Sequence, residues 1–161
     1  LGVVSIANYN CPGQLVIGGE AEAVTKASEL ALEKGARRAI PLNTSGPFHT
    51  ELLAPASNEL KEKFVSVNFN EMQVPVIFNS SAKELESGVS IAQMLEKQVM
   101  SSVYFEDSIR YMLENGVDTI IEIGPGKVLS GFIRKIDKTI KTYQVEDQAS
   151  LEKTLAGLKG E

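Results

Sequence analysis

The chain has 161 residues, 43% of them apolar and 23% charged, enough to bury one sizeable core or one core with a small appended subdomain. Its net charge of −5 argues against nucleic acid as the main partner, which would require clustered Lys and Arg, and its longest apolar runs, Leu15 to Ile17 and Thr119 to Ile123, are too short to cross a membrane. One cysteine, Cys11, and one histidine, His49, exclude an internal disulfide framework and make tetrahedral metal coordination a poor expectation; the expected compartment is a reducing cytoplasm.

In chain order, two apolar runs come first, residues 3–10 (VVSIANYN) and 14–19 (QLVIGG). Between them Pro12 and Gly13 fit the central positions of a type II turn, so a hairpin is predicted. From Glu20 to Lys34, Val24, Ala27 and Ala31 recur at helical spacing behind an acidic first turn, and Gly35 follows at the usual capping position. Residues 37–43 (RRAIPLN) predict a third strand, so residues 3–43 run β-β-α-β. That order is the later part of a split βαβ unit, a ferredoxin-like layer short of its first strand and helix. The opening Leu1-Gly2, without methionine or any signal-peptide pattern, is compatible with a processed chain or a piece of a longer one.

The organisation changes near residues 43–47. Leu53, Ala56, Leu60 and Phe64 predict a helix over 50–66 with Pro55 near its start, and VPVIFNSS (74–81) predicts a short strand. Ile91, Met94, Leu95 and Gln98 mark another helix, and Ile109, Met112 and Leu113 a further one from near Phe105 to Gly116. DTIIEIGPGKVLSGFIRKI (118–136) reads as strand, Gly-Pro-Gly loop and helix, the unit of parallel sheets. Leu151, Leu155 and Leu158 close the chain with a short helix, and the class is α/β.

Several features could carry chemistry. GPGK at 124–127 lies where helix N–H groups could hold an anion, but it lacks the spacing of a phosphate-cradling or dinucleotide loop, so a tight turn is the expected role. Cys11 reads as a small side chain in a turn, and Glu51 and Glu59 as solubilising charge. The stretch 127–141 is basic, with Asp137 its only acidic residue. On patterning alone it is a solvated helix face. His49 stands at a loop-to-helix junction, where loops carry much of α/β enzyme chemistry. A histidine base needs a nucleophile and a group that fixes its tautomer, and no G-x-S-x-G elbow is present.

Four blocks, ANYNCPGQLVIGG (7–19), IPLNTSGPFHT (40–50), EKQVMSSVYFEDSI (96–109) and IIEIGPGKVLSGFIRKI (120–136), together resemble the malonyl-CoA:acyl carrier protein transacylases of bacterial fatty acid synthesis. The resemblance covers essentially the whole chain but only the C-terminal half of a family member. It implies part of an α/β-hydrolase-like acyltransferase core over residues 45–161 and an incomplete ferredoxin-like subdomain over residues 1–44. It implies malonyl-CoA and acyl carrier protein as substrates, the missing N-terminal half as partner, and no cofactor, the coenzyme A thioester being a substrate. His49 matches the family's histidine base, and Gln98 the glutamine whose main-chain carbonyl orients that ring. Phe48, before the histidine, matches a position where a bulky ring is associated with malonyl over methylmalonyl preference. Asn8 and Asn10 resemble a pair lining the cleft between subdomains, with turn chemistry as the alternative role. The usual proline after the Q-V-x-x segment is Ser102 here.

The family's serine elbow, its oxyanion-hole loop and the arginine that pairs with the malonyl carboxylate have no match in this sequence; Arg37 and Arg38 do not correspond to that arginine. His49 is thus expected to be a base whose serine lies in another polypeptide, and the chain alone is expected to be inactive. Two other readings stand beside this one. One is a non-catalytic module that binds the acidic carrier protein through Lys127, Arg134 and Lys135; the other is a nucleotide-binding protein using the 124–127 turn.

Overall fold

The computed structural model describes residues 2–160. The chain divides into two compact units, Leu1–Asn10 with Gln14–Phe105, and Cys11–Gly13 with Glu106–Glu161. The sequence boundary near residue 44 falls inside the first unit.

The first unit holds the predicted hairpin, β1 (Val4–Cys11) and β2 (Gln14–Gly19), apart from Cys11–Gly13 at its turn, which group with the second. Gly13 has φ +75°, the left-handed conformation that the third residue of a type II turn requires. A two-residue strand, β3 (Val103–Tyr104), lies parallel to β1, with Asn8 opposite Val103 and Tyr9 opposite Tyr104, giving the order β2-β1-β3. The Tyr9 and Tyr104 rings stack with centroids 5.1 Å apart.

Helix α1 (Ala21–Glu33) ends as its sequence predicts. Ala36 N–H donates to the Ala31 carbonyl and Gly35 N–H to that of Leu32, the paired bonds of a Schellman motif, with Gly35 at φ +101°. The third strand of the predicted β-β-α-β run does not form: no described strand covers residues 37–43, and Ile40 and Leu42 are each 61% exposed. Residues 74–81 likewise form no strand; they contribute one isolated bridge, Phe78 to Lys83, and leave Val74 68% exposed. Both segments carry strand-like composition, but a strand exists only where a neighbour accepts its ladder: among the described residues 37–43 pair with no strand, and 74–81 make only the Phe78–Lys83 bridge and one bond from the Tyr104 N–H to the Asn79 carbonyl. A single 3₁₀ turn (Glu51–Leu53) leads into α2 (Ala54–Phe64), where Pro55 occupies the first turn that tolerates it. Helix α3 (Ile91–Gln98) starts with a capping box between Ser90 and Gln93.

The second unit holds α4 (Phe105–Glu114), which begins at the unit boundary, then β4 (Thr119–Ile123), α5 (Val128–Ile136), β5 (Lys141–Val145) and α6 (Gln148–Lys159). β4 and β5 pair in parallel over their whole length, from Thr119–Lys141 to Ile123–Val145, with α5 as the crossover. The stretch 127–141 is therefore not one basic helix. It breaks at Asp137, whose carboxylate accepts from the Thr139 N–H and Oγ1, and resumes as β5.

The GPGK turn has its own anions. Glu122 accepts hydrogen bonds from the Leu129 N–H (3.1 Å), the Ser130 N–H (2.8 Å) and Ser130 Oγ (2.6 Å), while Glu146 accepts from the Gly126 N–H (2.7 Å). The donors that would cradle a phosphate already hold carboxylates that would repel one, so the nucleotide-binding reading finds no support here. Burial pushes the Glu122 carboxyl up, but its bonds from Ser130 and Leu129 outweigh this and hold it below the ordinary glutamate range. A depressed folded-state pKa stabilises above the unfolded value, and that contribution is lost as pH falls through the lowered folded value. Glu122→Gln should therefore lower stability at pH 7 by about 1 kcal/mol, the usual size of a lost helix cap, with the gap to the parent closing under acid in urea titrations.

Candidate functional site

His49 has φ +62°, in the left-handed region that non-glycine residues seldom occupy. Such a conformation persists only where its surroundings over-determine it. Here the His49 N–H donates to the Val99 carbonyl at 3.2 Å, and on the next residue Thr50 Oγ1 donates back to the Pro47 carbonyl at 2.7 Å. Pro47 itself follows the Ser45-Gly46 turn read from the sequence. The segment rests on β2: a Cβ placed on Gly18 would lie 3.1 Å from the Thr50 methyl and 3.6 Å from the Phe48 carbonyl.

The half-buried imidazole points Nδ1 at the Gln98 main-chain carbonyl, 3.2 Å away. A carbonyl only accepts, so Nδ1 carries the proton in that bond and Nε2 of the neutral ring keeps its lone pair. Gln98 is the last residue of α3, where carbonyls lack intrahelical donors and where the helix dipole favours positive charge. The position of that carbonyl is well supported. Met94, on α3 itself, is buried, and the buried Ser57 of α2 donates its hydroxyl to the Glu96 carbonyl at 2.9 Å. Beyond the helix Ser101 N–H returns to the Gln98 carbonyl at 3.4 Å, and Ser102 Oγ donates to the Ile6 carbonyl of β1 at 2.5 Å. A proline at 102 could not make that bond; the serine ties the loop bearing the Val99 carbonyl directly to the sheet.

The structure thus brings His49 and Gln98 together through the main chain of Gln98. Phe48, next to the histidine, is 50% exposed. Asn8 and Asn10 are half-buried and two residues apart on β1, hence on one face of the strand. Lys127 and Arg134 lie in the second unit, where they line a groove of about 280 Å³ with Ser130, Thr142, Tyr143 and Gln144 between α5 and β5. Lys135 is exposed on α5 but does not line this groove. Among the described residues no group of three or more His, Cys, Asp or Glu side chains converges as a metal site would require. Cys11 is buried, and burial pushes its thiol up, away from the reactive thiolate. Val99, Thr50, Ser102, Ser57 and Gly18 carry no site signal in the sequence. Val99 acts through its main chain and Gly18 through its lack of a side chain, so their residue types carry no signal.

No protein-family model matches the chain. It is 48% identical over 159 residues to the malonyl CoA-acyl carrier protein transacylase of Bacillus subtilis, covering 99% of this chain and 50% of that protein. To the Escherichia coli K12 protein of the same name it is 37% identical over 153 residues, again 50% of the relative. The crystal structure of the Clostridium perfringens transacylase superposes with a TM-score of 0.95 at 45% identity, covering 99% of this chain and 50% of that one. A transacylase solved with its type II polyketide acyl carrier protein superposes at 0.91 with 36% identity, covering 99% of this chain and 51% of that one. The chain spans about half the length of the curated relatives it matches. No described helix is long and apolar enough to cross a membrane. Sequence and fold together relate this chain, over nearly its whole length, to one half of the malonyl CoA-acyl carrier protein transacylases.

Proposed function

We propose that the chain is the C-terminal portion of a cytoplasmic acyltransferase that moves a malonyl group from coenzyme A to the phosphopantetheine thiol of acyl carrier protein, in fatty acid biosynthesis. The observation that carries this reading is the His49 ring, oriented through Nδ1 by the Gln98 carbonyl with Nε2 left as a base. A serine supplied by the other half of the enzyme gives its proton to Nε2 as its oxygen attacks the malonyl thioester carbonyl. The tetrahedral intermediate collapses with cleavage of the C–S bond, and the imidazolium returns the proton to the departing coenzyme A sulfur. The carrier thiol then repeats the sequence in reverse, losing its proton to Nε2, attacking the seryl ester and releasing the serine. This sequence of steps uses no cofactor; the coenzyme A thioester is its substrate.

Phe48 would exclude a methylmalonyl group by volume, a discrimination of about 1–3 kcal/mol for one methyl. Asn8 and Asn10 would hydrogen-bond the substrate arm, and Lys127, Arg134 and Lys135 would receive the acidic carrier protein. The complex named in the polyketide relative supports a carrier-protein partner. The exposed apolar segments 37–43 and 74–81 fit strands whose partners lie in the other half, completing a ferredoxin-like layer over residues 1–44 and a hydrolase-like core over residues 45–161.

The chain alone should transfer no malonyl group, because a histidine without nucleophile or oxyanion donors stabilises no transition state. Mixed with the other half it should, and His49→Ala should then reduce kcat by about 10²–10⁴-fold, the usual share of a general base. Gln98→Ala, which keeps the main-chain carbonyl, should change kcat by less than about threefold. Confirmed association of the halves without any transfer would count against the assignment. Reversal of Arg134 and Lys135 to Glu should weaken carrier binding roughly tenfold at low salt and flatten its salt dependence. Salt-sensitive binding with no transfer by the reassembled protein would instead favour a carrier-binding module.

A further inference from the structure

We infer that Thr50 is a positioning residue that sets the orientation of the His49 ring, and that Gly18 is the notch in β2 that receives it. Thr50 is 1% exposed, and both ends of its side chain are in use. Its hydroxyl donates to the Pro47 carbonyl at 2.7 Å, closing a turn around the left-handed His49. Its methyl occupies the space above Gly18, where an added Cβ would come within 3.1 Å.

The direction of the hydroxyl is telling. Thr50 has extended backbone, φ −129° and ψ 162°, and stands at the N-cap of the 3₁₀ turn Glu51–Leu53, where a threonine oxygen ordinarily accepts from an N–H further along the helix. No such bond is made, and the side chain turns backward to Pro47 instead. The local helix gives up its cap, and the turn that aims the imidazole at Gln98 gains a clamp. His49 N–H to the Val99 carbonyl fixes the same residue from the other side. With the Thr50 clamp removed, the backbone can relax from φ +62° toward commoner conformations, and the ring leaves the Gln98 carbonyl.

This inference rests on the reading of His49 as the base, and one probe separates the two. His49 is the only histidine, so long-range ¹H–¹⁵N spectra of the chain show a single imidazole. The parent, with its ring neutral, should show a protonated Nδ1 and an unprotonated Nε2. Thr50→Val, isosteric but without the donor, should shift the neutral ring to mainly Nε2–H, and in the enzyme reassembled with its other half should lower kcat about tenfold with KM nearly unchanged. Thr50→Ser keeps the donor and should keep the Nδ1–H form. Gly18→Ala fills the notch and should behave like Thr50→Val. Should Thr50→Val not fold, the contrast between Thr50→Ser and Gly18→Ala decides the point. An unchanged Nδ1–H ring in Thr50→Val, or in Gly18→Ala if only that variant folds, overturns the role of Thr50. A parent ring already in the Nε2–H form overturns the reading of His49 as an oriented base.

Discussion

One hydrogen bond, from His49 Nδ1 to the Gln98 carbonyl, is the contact on which the proposed chemistry depends, and much of the first unit can be understood as what is needed to hold its two ends in place. The acceptor is a main-chain atom at the end of an eight-residue helix, too short to be stable alone, so its position depends on tertiary anchors. The Ser90–Gln93 capping box fixes the start of that helix, Ser57 ties its last turn, and Ser102 ties the following loop to β1. The donor sits on a residue in left-handed backbone, held by Val99 from one side and by the Pro47–Thr50 closure from the other. A neutral carbonyl here, rather than a carboxylate, fixes the tautomer without placing a full charge beside the ring.

The helices and turns were largely readable from sequence because their determinants are local. The Schellman termination at Gly35, the type II turn at Pro12-Gly13 and the placement of Pro55 in a first helical turn each depend on residues within a few positions of one another. Strands were read less well, for a physical reason. RRAIPLN and VPVIFNSS have the composition of strands, but pairing is a property of two segments; among the described residues the first pairs with no strand and the second makes only an isolated bridge and one bond to β3. The opposite error hid β5, where five basic residues over 127–141 suggested one continuous helical face. Asp137, the single acidic residue there, was the break signal: it accepts from Thr139 and turns the chain toward Lys141–Val145.

The site was legible in part. The pairing of His49 with the Gln98 carbonyl is legible through the resemblance of four blocks, not through any local rule, since a lone histidine carries little information. Their supports were invisible for different reasons. Val99 and Gln98 contribute main-chain carbonyls, which every residue has. Ser102, a departure from the family pattern, contributes a hydroxyl bond to Ile6 that no spacing rule anticipates. The GPGK turn shows how a motif can mislead: its glycines do adopt positive φ, at +141° for Gly124 and +77° for Gly126, but the N–H groups exposed there are neutralised by Glu122 and Glu146 of the same unit.

The central proposal is that His49 Nε2 faces a nucleophile contributed by polypeptide outside this chain. The most direct measurement joins the two atoms covalently. With the proposed nucleophilic serine of the other half changed to cysteine, 1,3-dibromoacetone should alkylate that thiol and then His49 Nε2, linking the two polypeptides in a bridge that peptide mass mapping places on His49 and that His49→Gln abolishes. Association of the halves with an alkylated thiol and no bridge to His49 would contradict the account.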